Sequence, residues 1–314
     1  YKRGTIKIDG KEHELLDTNF PTIDPKDPYK LTAEEQQILD QLQYSFEHSE
    51  KLQHHVRFLF ANGSIYLNYT GNLLYHGCSP MNEDGSYYEF HVGNETFVAK
   101  EFMDRVERLA RQGYFTTDDP EQKQYGCDAM WYLWSGANSP LFGKDKMATF
   151  ERYFIEDKAT HTETKNPYYK HRYDEAIADK ILTTFGLDPA KAHIINGHVP
   201  VKVKKGESPV KANGKLIVID GGFSKAYQKD TGIAGYTLIS NSYGLLLVSH
   251  YPFVSTQQAI EGEIDIHSDI RLLERVVERK RVRDSDLGAQ MQQQIDELTL
   301  LLEAYREGYI KEKQ

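Results

Sequence analysis

Cysteine is scarce in this 314-residue sequence, which contains only Cys78 and Cys127. Two cysteines exclude a disulfide framework and favour a reducing compartment, the cytoplasm. No apolar run approaches membrane-spanning length, and no signal-peptide pattern opens the chain. The formal net charge is −9, so the basic surface that a nucleic-acid-binding protein requires is also missing. These absences predict a cytoplasmic protein with neither a membrane nor a nucleic acid as its partner.

The sequence nevertheless has the composition of a folded protein. Hydrophobic residues make up 39% of the chain and charged residues 27%, so a packed core can form. Apolar periodicity and capping residues predict helices over 32–60, 99–112, 129–134, 172–185 and from 267 onward. Thr32 and Glu35 form a capping box at the start of the first, Gly113 ends the second, and Asp284 or Ser285 caps the last helix. Short apolar or alternating runs between them predict roughly six to eight strands. We therefore expect a layered α/β domain with a helical C-terminal tail.

The last predicted helix carries an apolar stripe from Leu287 to Tyr305 at helical spacing. Packing of this stripe on the domain is the simpler interpretation. Contact with a second copy of the chain, giving a homo-oligomer through the C-terminal helices, is the alternative.

Two histidines follow apolar runs that resemble buried strands. His76 comes after Leu73-Leu74-Tyr75, and His198 comes shortly after Ala192-His193-Ile194-Ile195. A glycine beside each histidine allows the backbone to turn sharply, so that the imidazole can point into a cleft. Two such histidines on different strands predict a metal site at one edge of a sheet. A structural histidine at a strand end is the alternative for each.

Four short motifs occur in a fixed order along the chain. They are His-Gly-Cys-Ser-Pro-Met at 76–81, Ser-Pro-Leu-Phe-Gly-Lys at 139–144, Gly-His-Val-Pro-Val at 197–201 and Asp-Gly-Gly-Phe-Ser at 220–224. Together they resemble the class III fructose-1,6-bisphosphatases of Firmicutes and Bacteroidetes, within the calcineurin-like metallophosphoesterases. Their shared order makes the resemblance more specific than any single motif.

The resemblance implies an enzyme of gluconeogenesis. Its reaction would be hydrolysis of the 1-phosphate of fructose 1,6-bisphosphate by metal-activated hydroxide, giving fructose 6-phosphate and phosphate. It implies a layered β-sandwich flanked by helices and a binuclear Mn²⁺ site, with His76 and His198 on the same metal. Another calcineurin-like phosphatase, acting on proteins or dinucleotides, and a non-catalytic remnant are the alternatives.

The second phosphate of a sugar bisphosphate requires cations outside the metal site. The candidate residues are Lys202, Lys204 and Lys205, followed by Lys144 and Lys225. The alternative for the three clustered lysines is a solvated strand edge.

Asp220 ends a predicted strand and precedes two glycines. It is the candidate catalytic carboxylate, in the role of orienting a ligand histidine. A tight turn that needs glycine dihedrals is the alternative. Cys78 is expected to be a small buried residue beside a ligand rather than a nucleophile, because no catalytic cysteine–histidine pattern accompanies it.

The resemblance also shows what the sequence does not contain. The superfamily motifs Gly-Asp-x-His, Gly-Asp-x-x-Asp-Arg-Gly and Gly-Asn-His-Glu/Asp do not occur. We therefore expect the later portion of a longer enzyme, inactive alone, with the remaining metal ligands outside this chain. Its expected parts are an irregular lead-in and the start of a long helix (1–45), the second half of a metallophosphoesterase catalytic domain (46–255) and a helical C-terminal segment (256–314).

Overall fold

The computed structural model describes residues 3–253, 255–263 and 267–311. The chain forms two compact units, each assembled from two stretches of sequence. Unit 1 comprises Tyr1–Ile65 and Pro80–Pro167, and unit 2 comprises Tyr66–Ser79 and Tyr168–Gln314. The segment boundaries expected at residues 45 and 255 stay a prediction. No helix in the described ranges is long and apolar enough to cross a membrane.

The described residues form an α/β protein. Its strands are β1 (Thr5–Ile8), β2 (Lys11–Glu14), β3 (Tyr66–Tyr69), β4 (Asn72–Tyr75), β5 (Glu89–Val92), β6 (Glu95–Val98), β7 (Ile194–Asn196), β8 (Val210–Lys211), β9 (Leu216–Val218), β10 (Gly235–Asn241), β11 (Gly244–His250) and β12 (Ser268–Arg275). Its helices are α1 (Ala33–His48), α2 (Glu50–Asn62), α3 (Ala99–Phe115), α4 (Pro120–Ser135), α5 (Thr149–Phe154), α6 (Tyr168–His171), α7 (Glu175–Thr184), α8 (Lys225–Thr231), α9 (Thr256–Glu261) and α10 (Asp286–Arg306).

The core of unit 1 lies between the β5–β6 hairpin and the helices α3 and α4. Phe90 of the hairpin stacks on Phe102 of α3 with ring centroids 3.6 Å apart. Val106, Ala110 and Leu133 complete this buried cluster. The apolar face of α3 therefore forms its packing surface, as the periodicity of its sequence predicts.

Helix α3 does not end at Gly113 as predicted, because it continues to Phe115. Gly113 instead faces Gly126 of α4, and a Cβ on Gly113 would lie 2.6 Å from the carbonyl carbon of Gly126. The two glycines allow the helix backbones to touch where the helices cross. A contact between helices therefore overrides the usual helix-ending tendency of glycine.

Replacing Gly126 by Ala is expected to destabilise the protein by about 2 kcal/mol, because the new methyl group would overlap the backbone of Gly113. This cost exceeds the roughly 1 kcal/mol that alanine gains over glycine in a helix. Urea unfolding measures the difference, with Lys123→Ala on the exposed surface of α4 as the control. A variant as stable as the wild type would show that the two helices do not cross at these glycines.

The prediction of one helix over 32–60 is wrong in one respect, because the helix is interrupted at Ser49. Ser49 ends α1, and its hydroxyl accepts a hydrogen bond from the Leu52 amide to cap α2. The capping box at the start of α1 is confirmed: Thr32 Oγ1 accepts from Glu35 N at 3.2 Å, and Thr32 N donates to Glu35 Oε2 at 2.8 Å. Neither helix contains a buried residue.

Unit 2 contains a five-stranded sheet in the order β3-β4-β7-β9-β8. Strands β4, β7 and β9 are parallel, and β3 and β8 pair antiparallel at the edges. Leu73, Ile194 and Leu216 occupy one register row and are fully buried. Because the three parallel strands run the same way, their carboxyl ends meet at one edge of the sheet. The segments containing His76, His198 and Asp220 follow at that edge.

A second sheet of unit 2 has the antiparallel order β10-β11-β12. The prediction of helix from residue 267 onward is wrong for Ser268–Arg275, which is strand β12. This segment pairs with β11 along its length, so tertiary pairing overrides the helical tendency of its leucines and arginines. Helix α10 begins as predicted, with Ser285 as its N-cap.

The apolar stripe of α10 is exposed, so the interpretation that it packs on the domain is wrong. Its stripe residues each expose two-fifths or more of their surface; they are Leu287, Met291, Ile295, Leu298, Leu302 and Tyr305. Contact with a second copy of the chain stays a prediction.

Candidate metal centre

The structure brings His76 and His198 together at the carboxyl edge of the five-stranded sheet. His76 Nε2 lies 3.0 Å from His198 Nδ1, although 122 residues separate the two positions. The ring centroids are 4.9 Å apart and the ring planes are inclined at 70°. Parallel pairing of β4 with β7 produces this arrangement, because each histidine follows the end of one of these strands.

The backbone at His198 is unusual. Its φ angle is 63°, in the left-handed region that residues other than glycine and asparagine seldom adopt. Gly197 on its amino-terminal side donates its amide to the His76 carbonyl at 3.0 Å. Strained backbone of this kind recurs at functional sites, and here it sets the direction in which the imidazole leaves the chain.

Buried polar groups lie under the two histidines. Asn196, the last residue of β7, donates from Nδ2 to the Gly77 carbonyl at 3.1 Å and to the Tyr168 hydroxyl at 2.9 Å. The Tyr168 hydroxyl lies 2.8 Å from that of Tyr75. Asn196 belongs to a motif that the sequence singled out, but its role was not predicted. Tyr168 carries no sequence signal, because its contact depends on where α6 packs.

Asp220 lies beside the histidine pair and also fixes a turn. Its Oδ1 accepts a hydrogen bond from Gly222 N at 2.8 Å. Its Cβ would lie 3.6 Å from a Cβ built on Gly197, which places the carboxylate against the segment that carries His198. The hydrogen bond to Gly222 directly supports the interpretation of Asp220 as a turn residue. Its closeness to Gly197 is the structural basis for the orienting role.

The electrostatic environment favours the neutral form of His76. Although His76 keeps an exposed surface, partial desolvation of its ring lowers the pKa of His76, because an imidazolium ion would lose part of its hydration. The Asp220 carboxylate raises the pKa of His76 by a smaller amount, and the net shift is downward. Neutral imidazole is the form that binds a metal ion.

Burial raises the pKa of the Cys78 thiol, which excludes a thiolate nucleophile at that position near pH 7.

The clustered lysines do not form a strand edge, so that alternative is wrong. Val203–Lys205 is a short 3-10 turn, and Lys202, Lys204 and Lys205 are exposed. Lys204 Nζ donates to the Lys229 carbonyl at 2.6 Å, so one of its three hydrogen-bond donors is already engaged.

The two remaining candidate lysines differ from each other. Lys144 lies in unit 1, where its Nζ is 2.6 Å from Glu163 Oε2. Lys225 is the exposed first residue of α8 in unit 2. Lys144 already has a carboxylate partner, whereas the Lys225 side chain is accessible to an anion from solvent.

A buried ionic cluster anchors the lysine-rich turn, and sequence reasoning missed it. Glu207 Oε1 lies 2.8 Å from both Arg172 Nη2 and Lys211 Nζ, whose side chains are only 5% and 1% exposed. Glu207 Oε2 accepts from the Lys202 amide at 3.0 Å. Burial raises the pKa of Glu207. The hydrogen bonds from Lys211 and Lys202 and the neighbouring positive charges together lower this pKa by a larger amount, so the net shift is downward. Glu207 thus ties the turn after His198 to the interior of unit 2.

The histidine pair fits part of a metal site. Two nitrogens at about 2.1 Å from one ion, and about 90° apart, would be separated by about 3.0 Å. The observed Nε2–Nδ1 distance of 3.0 Å matches this spacing. Within residues 3–253, 255–263 and 267–311, no group of three or more His, Cys, Asp and Glu side chains can hold a metal ion. The pair alone supplies two nitrogen ligands of such a site.

Comparison with known proteins adds independent information. The sequence matches the family model described as Firmicute fructose-1,6-bisphosphatase over residues 1–307. A fructose-1,6-bisphosphatase class 3 of Alkaliphilus metalliredigens (strain QYMF) is 59% identical over 315 residues, covering 100% of this chain and 47% of that relative. The protein of the same name from Clostridium botulinum (strain Langeland / NCTC 10281 / Type F) is 58% identical over 312 residues, covering 99% and 47%. The chain thus spans about half the length of these curated relatives. No solved structure matches it.

Proposed function

The chain belongs to the Firmicute fructose-1,6-bisphosphatase family, and from this premise we propose that the protein hydrolyses the 1-phosphate of fructose 1,6-bisphosphate, yielding fructose 6-phosphate and phosphate. The observation that carries the proposal is the convergence of His76 and His198, whose ring nitrogens are 3.0 Å apart at a sheet edge. A pair of imidazoles at this spacing suits a shared divalent cation.

We assign His76 and His198 to one metal of a binuclear Mn²⁺ site, whose other ligands lie outside the described residues. When bound, such a site neutralises phosphoryl oxygens and supplies hydroxide near neutral pH. The chain's own residues have separate tasks. His198 is aimed by its left-handed backbone, and partial desolvation lowers the pKa of His76 and so favours its neutral form. Asp220 lies against Gly197 and supports the orientation of the pair.

Lysines are proposed to hold the second phosphate. Lys202 precedes the turn that Glu207 anchors and Lys205 ends it, and both are exposed to solvent. Lys225 is a third accessible candidate. Lys204 and Lys144 are weaker candidates, because a carbonyl and a carboxylate already occupy their ammonium groups. A lysine contributes to phosphate binding as a point charge.

The proposed fold is the layered β-sandwich of the calcineurin-like metallophosphoesterases. Unit 2 supplies two sheets, and residues from both line a cavity of about 490 Å³. This arrangement is typical of facing layers.

We also infer a cytoplasmic location from the two cysteines, which are not paired in a disulfide. We infer homo-oligomer contact from the exposed apolar stripe of α10.

A substrate panel with metal control tests the proposal. Full-length protein is expected to release phosphate from fructose 1,6-bisphosphate in the presence of Mn²⁺, to lose activity on chelation and to regain it when Mn²⁺ is restored. The 314-residue chain alone is expected to be inactive, because two imidazoles do not complete a metal site. Preferred hydrolysis of a phosphopeptide or a dinucleotide, or undiminished activity after chelation, would contradict the proposal.

A further inference from the structure

Besides the 3.0 Å contact between the two imidazoles themselves, two hydrogen bonds join the segment that carries His76 to the segment that carries His198. One is formed by the backbone, from Gly197 N to the His76 carbonyl at 3.0 Å. The other is formed by the Asn196 side chain, from Nδ2 to the Gly77 carbonyl at 3.1 Å. Gly197 and Gly77 are direct neighbours of the two histidines, and Asn196 lies two positions before His198. Of these two bonds, only the Asn196 bond depends on a side chain.

The orientation of the Asn196 amide is fixed by its surroundings. The Gly77 carbonyl can only accept a hydrogen bond, so the NH₂ group of Asn196 must face it. The same NH₂ group donates to the Tyr168 hydroxyl at 2.9 Å, and that hydroxyl lies 2.8 Å from the Tyr75 hydroxyl. Asn196 Oδ1 has no hydrogen-bond partner in the part of the chain that the structure describes. The contribution of Asn196 therefore comes from its two donors.

Burial makes this contact significant. Asn196 is only 2% exposed, and Tyr168 is fully buried. Water cannot replace a lost donor at such a position, so removing the amide would leave the Gly77 carbonyl without its partner. The strand ends would then separate to hydrate that carbonyl, and the two imidazoles would move with them.

We propose that Asn196 is a positioning residue that locks the ends of β4 and β7 together and thereby sets the spacing between His76 and His198. The side chain acts through Gly77 and Tyr168 and does not itself bind a metal. The importance of this lock for catalysis rests on the proposed function, whereas its effect on the strand ends does not.

Three variants of the full-length protein test this inference. Asn196→Leu removes both donors and keeps four side-chain heavy atoms branched at Cγ, although its methyl groups are bulkier. Asn196→Asp keeps the shape but places a carboxylate oxygen against the Gly77 carbonyl. Tyr168→Phe removes the hydroxyl and leaves the bond between Asn196 and Gly77 intact, so its effect should be the smallest of the three.

Two measurements read the outcome, and the first needs no metal. Hydrogen exchange of the Gly197 amide is expected to accelerate at least about tenfold in both Asn196 variants, because that amide bonds the His76 carbonyl across the same junction. Affinity for Co²⁺, followed by its visible absorption as a probe of the metal site, is expected to fall about 10- to 100-fold.

The control is Thr231→Val, another buried polar group in unit 2, whose hydroxyl bonds the Tyr227 and Ile233 carbonyls. This variant should lower the global free energy of unfolding and leave the Co²⁺ affinity unchanged. The exchange rate of the Gly197 amide, once corrected for the change in global unfolding, should also be unchanged. Unchanged Gly197 exchange in either folded Asn196 variant would overturn the inference. If wild-type Co²⁺ binding proves independent of His76 and His198 while Gly197 exchange still accelerates, the lock is upheld and the proposed metal site fails.

Discussion

Removing the imidazole at position 198 from the full-length protein is expected to lower kcat/KM for fructose 1,6-bisphosphate at least about a thousandfold, equivalent to about 4 kcal/mol of transition-state stabilisation. The same loss is expected for His76→Ala, because each imidazole supplies one ligand to the proposed metal. Steady-state kinetics at saturating Mn²⁺ give the values. Near-wild-type turnover from either variant would argue strongly against the assignment.

His198→Gly separates the chemical role of this residue from its structural one. Glycine adopts a φ of 63° without strain, so the backbone of this variant should be no more strained at position 198 than that of the wild type, and the variant should fold. Alanine retains the strain and confounds the two effects. A stable but inactive glycine variant would show that the imidazole is required for the reaction rather than for folding.

A histidine at the other end of the same strand provides the matched control. His193 directly precedes β7, and its Nδ1 lies 2.9 Å from the Gly214 carbonyl. His193→Gln should change kcat/KM less than about threefold, because this side chain lies beyond the amino end of the strand. A thousandfold loss in this control would show that any disturbance of β7 is sufficient and that the activity assay does not identify metal ligands.

Glu207→Gln is expected to reduce the free energy of unfolding by about 3 kcal/mol. Removing the carboxylate charge leaves Arg172 and Lys211 buried beside each other without compensation. Adding Lys211→Met to Glu207→Gln removes one of these charges and should restore part of the loss. Urea unfolding of both variants measures the effect, and a single variant as stable as the wild type would show that the cluster is not a buried ionic anchor.

The same cluster predicts how acid affects stability. The pKa of Glu207 is lower in the folded protein than in the unfolded chain, where a glutamate titrates near about 4.3. Its ionic contribution is therefore present above that pH and is lost as the pH falls through the lower folded value. In Glu207→Gln this part of the acid dependence should be absent, so the stability difference between variant and wild type should shrink as the pH is lowered below about 4.

Sequence patterns predicted local structure well where the determining contacts are local. The Thr32 capping box, the Ser285 cap and the strands leading to His76 and His198 follow from residues within a few positions of one another. Gly113 was misinterpreted because its role depends on Gly126 in another helix. The segment from Ser268 onward was misinterpreted for a similar reason, because pairing of β12 with β11 decides its conformation.

The candidate site divides in the same way. His76 and His198 stand at strand ends beside glycines, a pattern visible in the sequence alone. The groups that hold them have no such pattern, because Tyr168 reaches Asn196 only after α6 has packed. Glu207 likewise meets Arg172 across 35 positions of chain. Such long-range polar contacts follow from tertiary packing rather than from any local signal.

The parallel pairing of β4 with β7 has a consequence for how this centre forms as the chain folds. The two imidazoles meet across 122 residues, and parallel strands cannot register through a tight turn. The entropy of closing a long loop grows slowly with its length, so the effect on final stability is modest. The effect on rate is larger, because topologies with a high contact order fold slowly. We therefore expect the histidine pair to assemble late, after the surrounding hydrophobic interior has begun to condense.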